Sequence, residues 1–225
     1  MINENRTIEW DGVRKAATIN ESRCKLLNDI FQNARLENWD RTFRILSMES
    51  RHIIDSVQPD EKTDYTLLHH AAEQGNTNAI GTLLDLGASK SIVDMNGRIP
   101  YDLIKDFYEH EEMYEMLRPI SIKEEDETVL NKIQYNLHSL IMEIAGDPVR
   151  NHELRLPQIR VLLEHLDCNM WFPIPGMYGG FNVMFNNDSE GVFLIAESWS
   201  RIAEGSGMRH KINQYGTSLI DEGFV

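Results

Sequence analysis

Asp64-Tyr65-Thr66-Leu67-Leu68-His69-His70-Ala71-Ala72-Glu73-Gln74-Gly75-Asn76 decides how the middle of this chain folds. Leu68, Ala71 and Ala72 fall on one face of a short helix, and the small alanines let a second helix approach closely. Gly75 stands where that helix must end, a position that tolerates a left-handed residue. Ile80, Leu83 and Leu84 follow at helical spacing, which predicts a second helix over 77–86 closed by Gly87. Residues 88–97 read as an extended hairpin region turning at Asp94-Met95-Asn96-Gly97. At an offset of 33 residues the block restarts as Gly97-Arg98-Ile99-Pro100-Tyr101-Asp102.

This pattern resembles the ankyrin repeat, which reads Gly-x-Thr-Pro-Leu-His-x-Ala-Ala-x-x-Gly, then a Leu-Leu pair, then Gly-Ala. The match is most specific over 64–97. Asp64 replaces the family's Gly and Leu67 its Pro. In the following repeat Ile99 replaces Thr, and Asp106-Phe107-Tyr108-Glu109-His110 stands where a Gly turn is expected. A degenerate repeat precedes these, with Ala34, Asn38, Ile45 and Leu46 aligned on Ala72, Asn76, Leu83 and Leu84. Residues 12–31 read as one or two amphipathic helices. Solenoids need about three repeats and atypical end units. Residues 1–58 are therefore expected to cap the array, and residues 103–118 to form its last helix pair.

Further along, Val129, Ile133, Leu137, Leu140, Ile141 and Ile144 predict a helix over 128–145, ended by Gly146-Asp147-Pro148. A second helix is expected over 157–166. Phe172 to Gly180 is too rich in Pro and Gly for helix. Strand-like runs follow at 181–185, 192–200, 208–214 and 218–225. The expected fold is a mainly α ankyrin-repeat solenoid over 1–119, an acidic linker over 120–127, and a small α+β domain over 128–225 with two helices and an antiparallel β-meander. The runs Pro-Gly-Met-Tyr-Gly-Gly-Phe and Glu-Ser-Trp-Ser-Arg are similar to those of uncharacterised small bacterial proteins, with the toxin-immunity type among the candidates. That resemblance carries no site over.

Composition narrows the function. The 225 residues carry 36 acids against 22 bases, a formal charge of −14. Such an excess argues against binding a nucleic-acid backbone or an anionic membrane surface. No run of about 18 apolar residues is present, and the N-terminus lacks a signal-peptide layout. Cys24 and Cys168 match no metal or redox spacing, so free thiols in a reducing cytoplasm are expected. Residues 59–127 hold sixteen acids and six bases, a net −10. Two clusters stand out there, Glu109, Glu111, Glu112 and Glu115, then Glu124 to Glu127.

The ankyrin resemblance implies a protein-interaction surface on hairpin tips and first helices. The positions expected to bind a partner are Asp60, Glu61, Asp64, Tyr65, Asp94, Asn96, Arg98, Glu109 and Glu112. Their acidity points to a basic protein partner. A small acidic cytoplasmic binder fits a bacterial immunity protein that covers a basic toxin such as a nuclease; an ankyrin adaptor or effector is the alternative. No cofactor or metal is expected, because His69 occupies the motif's own structural His and no metal or phosphate motif occurs. An enzymatic reading rests on Glu197, Trp199 and Arg201 sharing one strand face, with His210 on the neighbouring strand for acid–base chemistry. The expectation is that the protein is not an enzyme.

Overall fold

The computed structural model describes residues 6–48, 53–104, 111–165, 168–200 and 206–223. The chain divides into two compact units, Val13–Ile120 and a discontinuous one made of Met1–Gly12 with Ser121–Val225.

The first unit is helical. It holds α1 (Glu21–Arg35), α2 (Trp39–Leu46), α3 (Leu67–Glu73), α4 (Thr77–Asp85), a 3-10 turn (Pro100–Leu103) and α5 (Glu111–Leu117). Asparagines start two of the helices. Asn20 Oδ1 accepts from Arg23 N–H at 2.8 Å, and Asn76 Oδ1 from Ala79 N–H at 2.9 Å, each satisfying a donor that the first turn leaves open. Leu27, Ile30, Phe31 and Ala34 of α1 pack with Leu67, Leu68, Ala71, Ala72, Ile80 and Leu83 in one core. Each fully buried Leu, Ile or Phe contributes about 1.5–3 kcal/mol of transfer free energy. Polar bonds tie successive helix pairs. Trp39 Nε1 donates to Gln74 Oε1, and Gln74 Nε2 to the Ala34 carbonyl, both at 2.9 Å.

The second unit is a mixed six-stranded sheet in the order β1 (Arg6–Glu9), β2 (Cys168–Ile174), β3 (Gly179–Asp188), β4 (Gly191–Ser200), β5 (Ser206–Asn213) and β6 (Gly216–Glu222). β1 runs parallel to β2, and all other pairs are antiparallel. Two helices, α6 (Glu124–Asn151) and α7 (Arg160–Glu164), precede β2. α6 lies across β2, β4, β5 and β6. The strand residues of the covered face are fully enclosed: Met170, Phe172, Phe181, Val183, Leu194, Ala196 and Ile212 are all 0% exposed.

The expectation of a mainly α ankyrin solenoid with a small tail domain is overturned by this sheet. Its first strand comes from residues 6–9, inside the segment expected to be a helical cap. The unit is therefore closed by both ends of the described chain, and the boundary expected at 119 is not the only crossing. The acidic linker is also corrected. Glu124 to Glu127 form the first turn of α6, where carboxylates favour the positive end of the helix dipole. The helix expected to end before Gly146 does leave helical geometry there, at Ala145 (φ −130°, ψ 26°), and a second helical segment follows to Asn151. Pro148 then sits in the opening turn of the second segment, where a missing N–H costs little.

β2 was hidden by Pro173 and Pro175. The Trp171 carbonyl accepts from Trp10 N–H at 2.8 Å, so odd-numbered residues of β2 turn their backbone groups toward β1. The missing N–H of Pro173 therefore falls just beyond the end of β1, where it ends the parallel ladder without breaking the ladder to β3. The predicted last helix pair is only partly described. Residues 105–110, including Glu109, lie outside the described residues.

Candidate functional site

The residues expected to form an acidic tip surface do not come together as one. Asp64 is 4% exposed, has φ 56°, and is ion-paired with Arg14. Asp94 is equally enclosed. Its carboxylate accepts from the backbone N–H of Asn96 (2.7 Å) and Arg98 (2.9 Å) and from the Arg98 guanidinium at 2.9 and 2.7 Å. Burial works to raise its pKa, yet these donors outweigh it and hold the carboxyl below the ordinary value. Tyr65 is buried, stacks on His69 at 5.3 Å, and accepts from Arg98 Nη2 at 2.8 Å. Asp64, Tyr65, Asp94 and Arg98 thus build the loop from within.

Asp60, Glu61, Asn96 and Glu112 are exposed. Of these, Glu61 is already paired with Arg35 at 3.1 Å, and Asp60 Oδ1 accepts from Ala16 N–H at 3.3 Å. His69 is wholly buried. Nδ1 accepts from Thr66 N–H at 3.2 Å, which leaves Nε2–H to donate to the Arg98 carbonyl at 3.1 Å. Both ring nitrogens are used in holding the helix start to the following loop.

The most organised polar array lies in the sheet unit, on the face of the sheet opposite α6. It crosses every strand. Thr7 Oγ1 donates to Asn169 Oδ1 (2.9 Å), and Asn169 Nδ2 to Asn182 Oδ1 (2.6 Å). Asn182 Nδ2 donates to Glu197 Oε2 (3.3 Å), Arg209 Nε donates to Glu197 Oε1 (2.8 Å), and Asp221 lies 3.6 Å from Arg209 Nη1. Register explains the row, because Asn182, Glu197, Arg209 and Asp221 are direct cross-strand partners. Beside it Trp171 and Trp199 stack with ring centroids 4.5 Å apart. Trp199 is 37% exposed, and Met184, Phe193 and Ile195 on the same face are half-buried. Within the sheet unit, α6 packs on the other face.

The proposed acid–base pair separates. Glu197 opposes Arg209, whereas His210 opposes Ala196 and so points to the face that α6 covers. Burial lowers the His210 pKa, with Glu143 acting in the opposite direction. Trp199 does share the Glu197 face, while Arg201 lies outside the described residues. Asn169 is invisible to the sequence reading because β2 is; Asn182 and Arg209 lie in predicted strands, but only the pairing register brings them to one another. The one available signal was Arg209 itself, an odd-numbered neighbour of His210 and so on the side of the strand opposite to it.

Among the described residues no group of three or more His, Cys, Asp or Glu is placed to hold a metal ion. Cys24 and Cys168 form no disulfide. No described helix is long and apolar enough to cross a membrane. No protein-family model matches the chain, and no curated protein matches it.

Proposed function

We propose that this chain is a non-catalytic binding protein for a basic protein partner, a bacterial immunity protein that covers a cytoplasmic toxin such as a nuclease. The observation that carries the reading is the open sheet face. Its polar groups are bonded to one another across the strands, and Glu197 faces Arg209 rather than a histidine. Beside them lies a stacked pair, Trp171 half-buried and Trp199 37% exposed, and aromatic residues are the types that anchor protein interfaces. The charge supports a basic partner. By structural unit, the sheet unit carries eighteen acids and nine bases (−9) and the helical unit eighteen and thirteen (−5). The larger acidic excess therefore belongs to the unit that carries the open face.

The test is co-expression with the product of the adjoining gene, followed by titration of the purified pair. The reading expects a salt-sensitive complex that Trp199→Ala weakens by about 2 kcal/mol or more. An adjoining product that is not basic, or one that forms no complex, removes it. The resemblance of residues 64–97 to ankyrin repeats favours a second reading, an adaptor that binds through the helical unit. Asp60→Lys with Glu61→Lys in the full chain separates the two. An adaptor loses its partner through these changes and keeps it through Trp199→Ala.

A further inference from the structure

β6 (Gly216–Glu222) stands last in the sheet order, and among the described residues no strand pairs with its outer side. Its hairpin to β5 closes through a two-residue turn, with Asn213 opposite Gly216. In such a turn the closing pair exchanges backbone bonds, and bonded and non-bonded pairs then alternate along the ladder. Gly216 and Ser218 therefore bond to Asn213 and Lys211 of β5. Thr217 and Leu219, opposite Ile212 and His210, direct their N–H and C=O groups away from β5. Beyond them an extra residue, Ile220, shifts the register between Arg209 and His210, so the regular outer edge ends at Leu219.

Sheet edges are guarded against further pairing by shortness, by Lys or Pro, by bulges, or by cover. β1, at the opposite edge, is only four residues long. β6 has seven residues and neither Lys nor Pro. Every side chain from Thr217 to Glu222 is exposed, with Leu219 at 50% and Ile220 at 51%. The guards β6 does have, the extra residue and the acids Asp221 and Glu222, all stand past Leu219. Symmetry and charge then select the occupant. Two copies of this edge match when they run antiparallel about a two-fold axis. With Ser218 on the axis, Thr217 of each copy faces Leu219 of the other, and every outward group of the regular edge is paired. Asp221 and Glu222 then fall opposite Tyr215 and Gln214, so no like charges oppose. Centring on Thr217 instead brings Leu219 against the turn residue Tyr215, and centring on Leu219 brings Thr217 against Asp221 beyond the bulge.

We propose that two copies of this chain join through β6, antiparallel and with Ser218 on the two-fold axis, into one continuous sheet. The proposal does not rest on the binding-protein reading, because it uses the edge of the sheet and not its open face. In the pair, that face runs on from one copy into the other. Each sheet unit carries −9, so the copies repel at low ionic strength and added salt favours their union.

The experiment is analytical ultracentrifugation of the full chain up to about 0.5 mM, which reaches small and weak interfaces, together with amide hydrogen exchange. A monomer–dimer equilibrium is expected, tightening about threefold between roughly 0.05 and 0.3 M salt. Exchange of the Thr217 and Leu219 amides should slow as the dimer forms. Thr217→Pro removes an outward N–H without touching the ladder to β5. Leu219→Lys puts a guard on the edge, although it lowers the net repulsion between copies. Each should weaken the dimer about tenfold or more, with an unchanged far-ultraviolet circular dichroism spectrum. Met48→Lys, at an apolar position 81% exposed in the helical unit, should leave the dimer intact. A chain that stays monomeric at the higher salt, or a dimer that both edge variants leave intact, overturns the proposal. So does a chain whose Thr217 and Leu219 amides slow only when the adjoining gene product is added, an outcome that gives the edge to that partner.

Discussion

Trp171 on β2 and Trp199 on β4 stack across the strand that separates them, because β3 presents Gly180 at the crossing. A Cβ there would lie 2.8 Å from the Trp171 ring and 2.2 Å from the Phe172 carbonyl oxygen. The glycine is needed for space, and the open sheet face owes its aromatic pair to it.

Gly180→Ala should therefore separate the indoles and shift the β2 backbone. The expected cost is about 2–3 kcal/mol. Urea denaturation reads the cost, and the near-ultraviolet circular dichroism of the tryptophan pair should collapse with it. An unchanged spectrum with unchanged stability would show that the pair does not depend on the gap.

Asp94→Ala removes an acceptor that satisfies two backbone donors and a guanidinium. A loss of about 2 kcal/mol is expected in thermal or urea melts. The association rate with a basic partner should hardly change, because the carboxylate is enclosed and already paired with Arg98. A large change in rate with intact stability would restore Asp94 as a contact residue.

His70 links pH to stability. Burial, then the nearby Arg35 and His69, lowers its pKa to about 4, against an ordinary value of 6.5. The unfolded chain therefore binds a proton that the folded chain refuses between these values. Stability contributed by keeping the ring neutral is fully present above about pH 6.5 and falls as pH drops toward 4, by about 3 kcal/mol in total. The ring packs edge-on against Phe31 and Tyr65, with centroids 5.9 and 5.3 Å away. His70→Phe should therefore flatten that part of the curve. Paired urea melts at pH 7 and pH 4.5 measure the difference between the two proteins.

Glu197 offers a direct test of register. A double-mutant cycle between Glu197→Gln and Arg209→Gln should give a coupling below about 1 kcal/mol but measurable, since both side chains are part-exposed. The cycle between Glu197→Gln and His210→Gln should give essentially none. The opposite ranking would put the histidine back beside the carboxylate.

The helical unit was legible where local rules govern it. The Leu-Leu pairs, the alanines and Gly75 and Gly87 carry helix packing and termination in short windows, and α3 and α4 lie within a residue or two of expectation. The strands β3 to β6 were legible for the same reason, through alternation between turn signals. β1 and β2 were not, because four residues with no alternation and a run interrupted by two prolines give no local signal. Their pairing is between segments more than 150 residues apart. The cross-sheet ladder inherits that failure. Likewise, acidity marked residues 60–94 as a surface, but composition does not distinguish a solvated carboxylate from Asp94, which folds its own loop around itself.

The parallel pairing of Arg6–Glu9 with Cys168–Trp171 also sets an order of events during synthesis. The first strand leaves the ribosome long before its neighbour exists. The helical unit, whose contacts are mostly between successive helices, is complete when Ile120 has emerged. For that interval the leading segment has no template and must remain unpaired. The strand pair of longest range in sequence thus becomes possible only when Cys168–Trp171 has been made, and the six strands should mature only after that point.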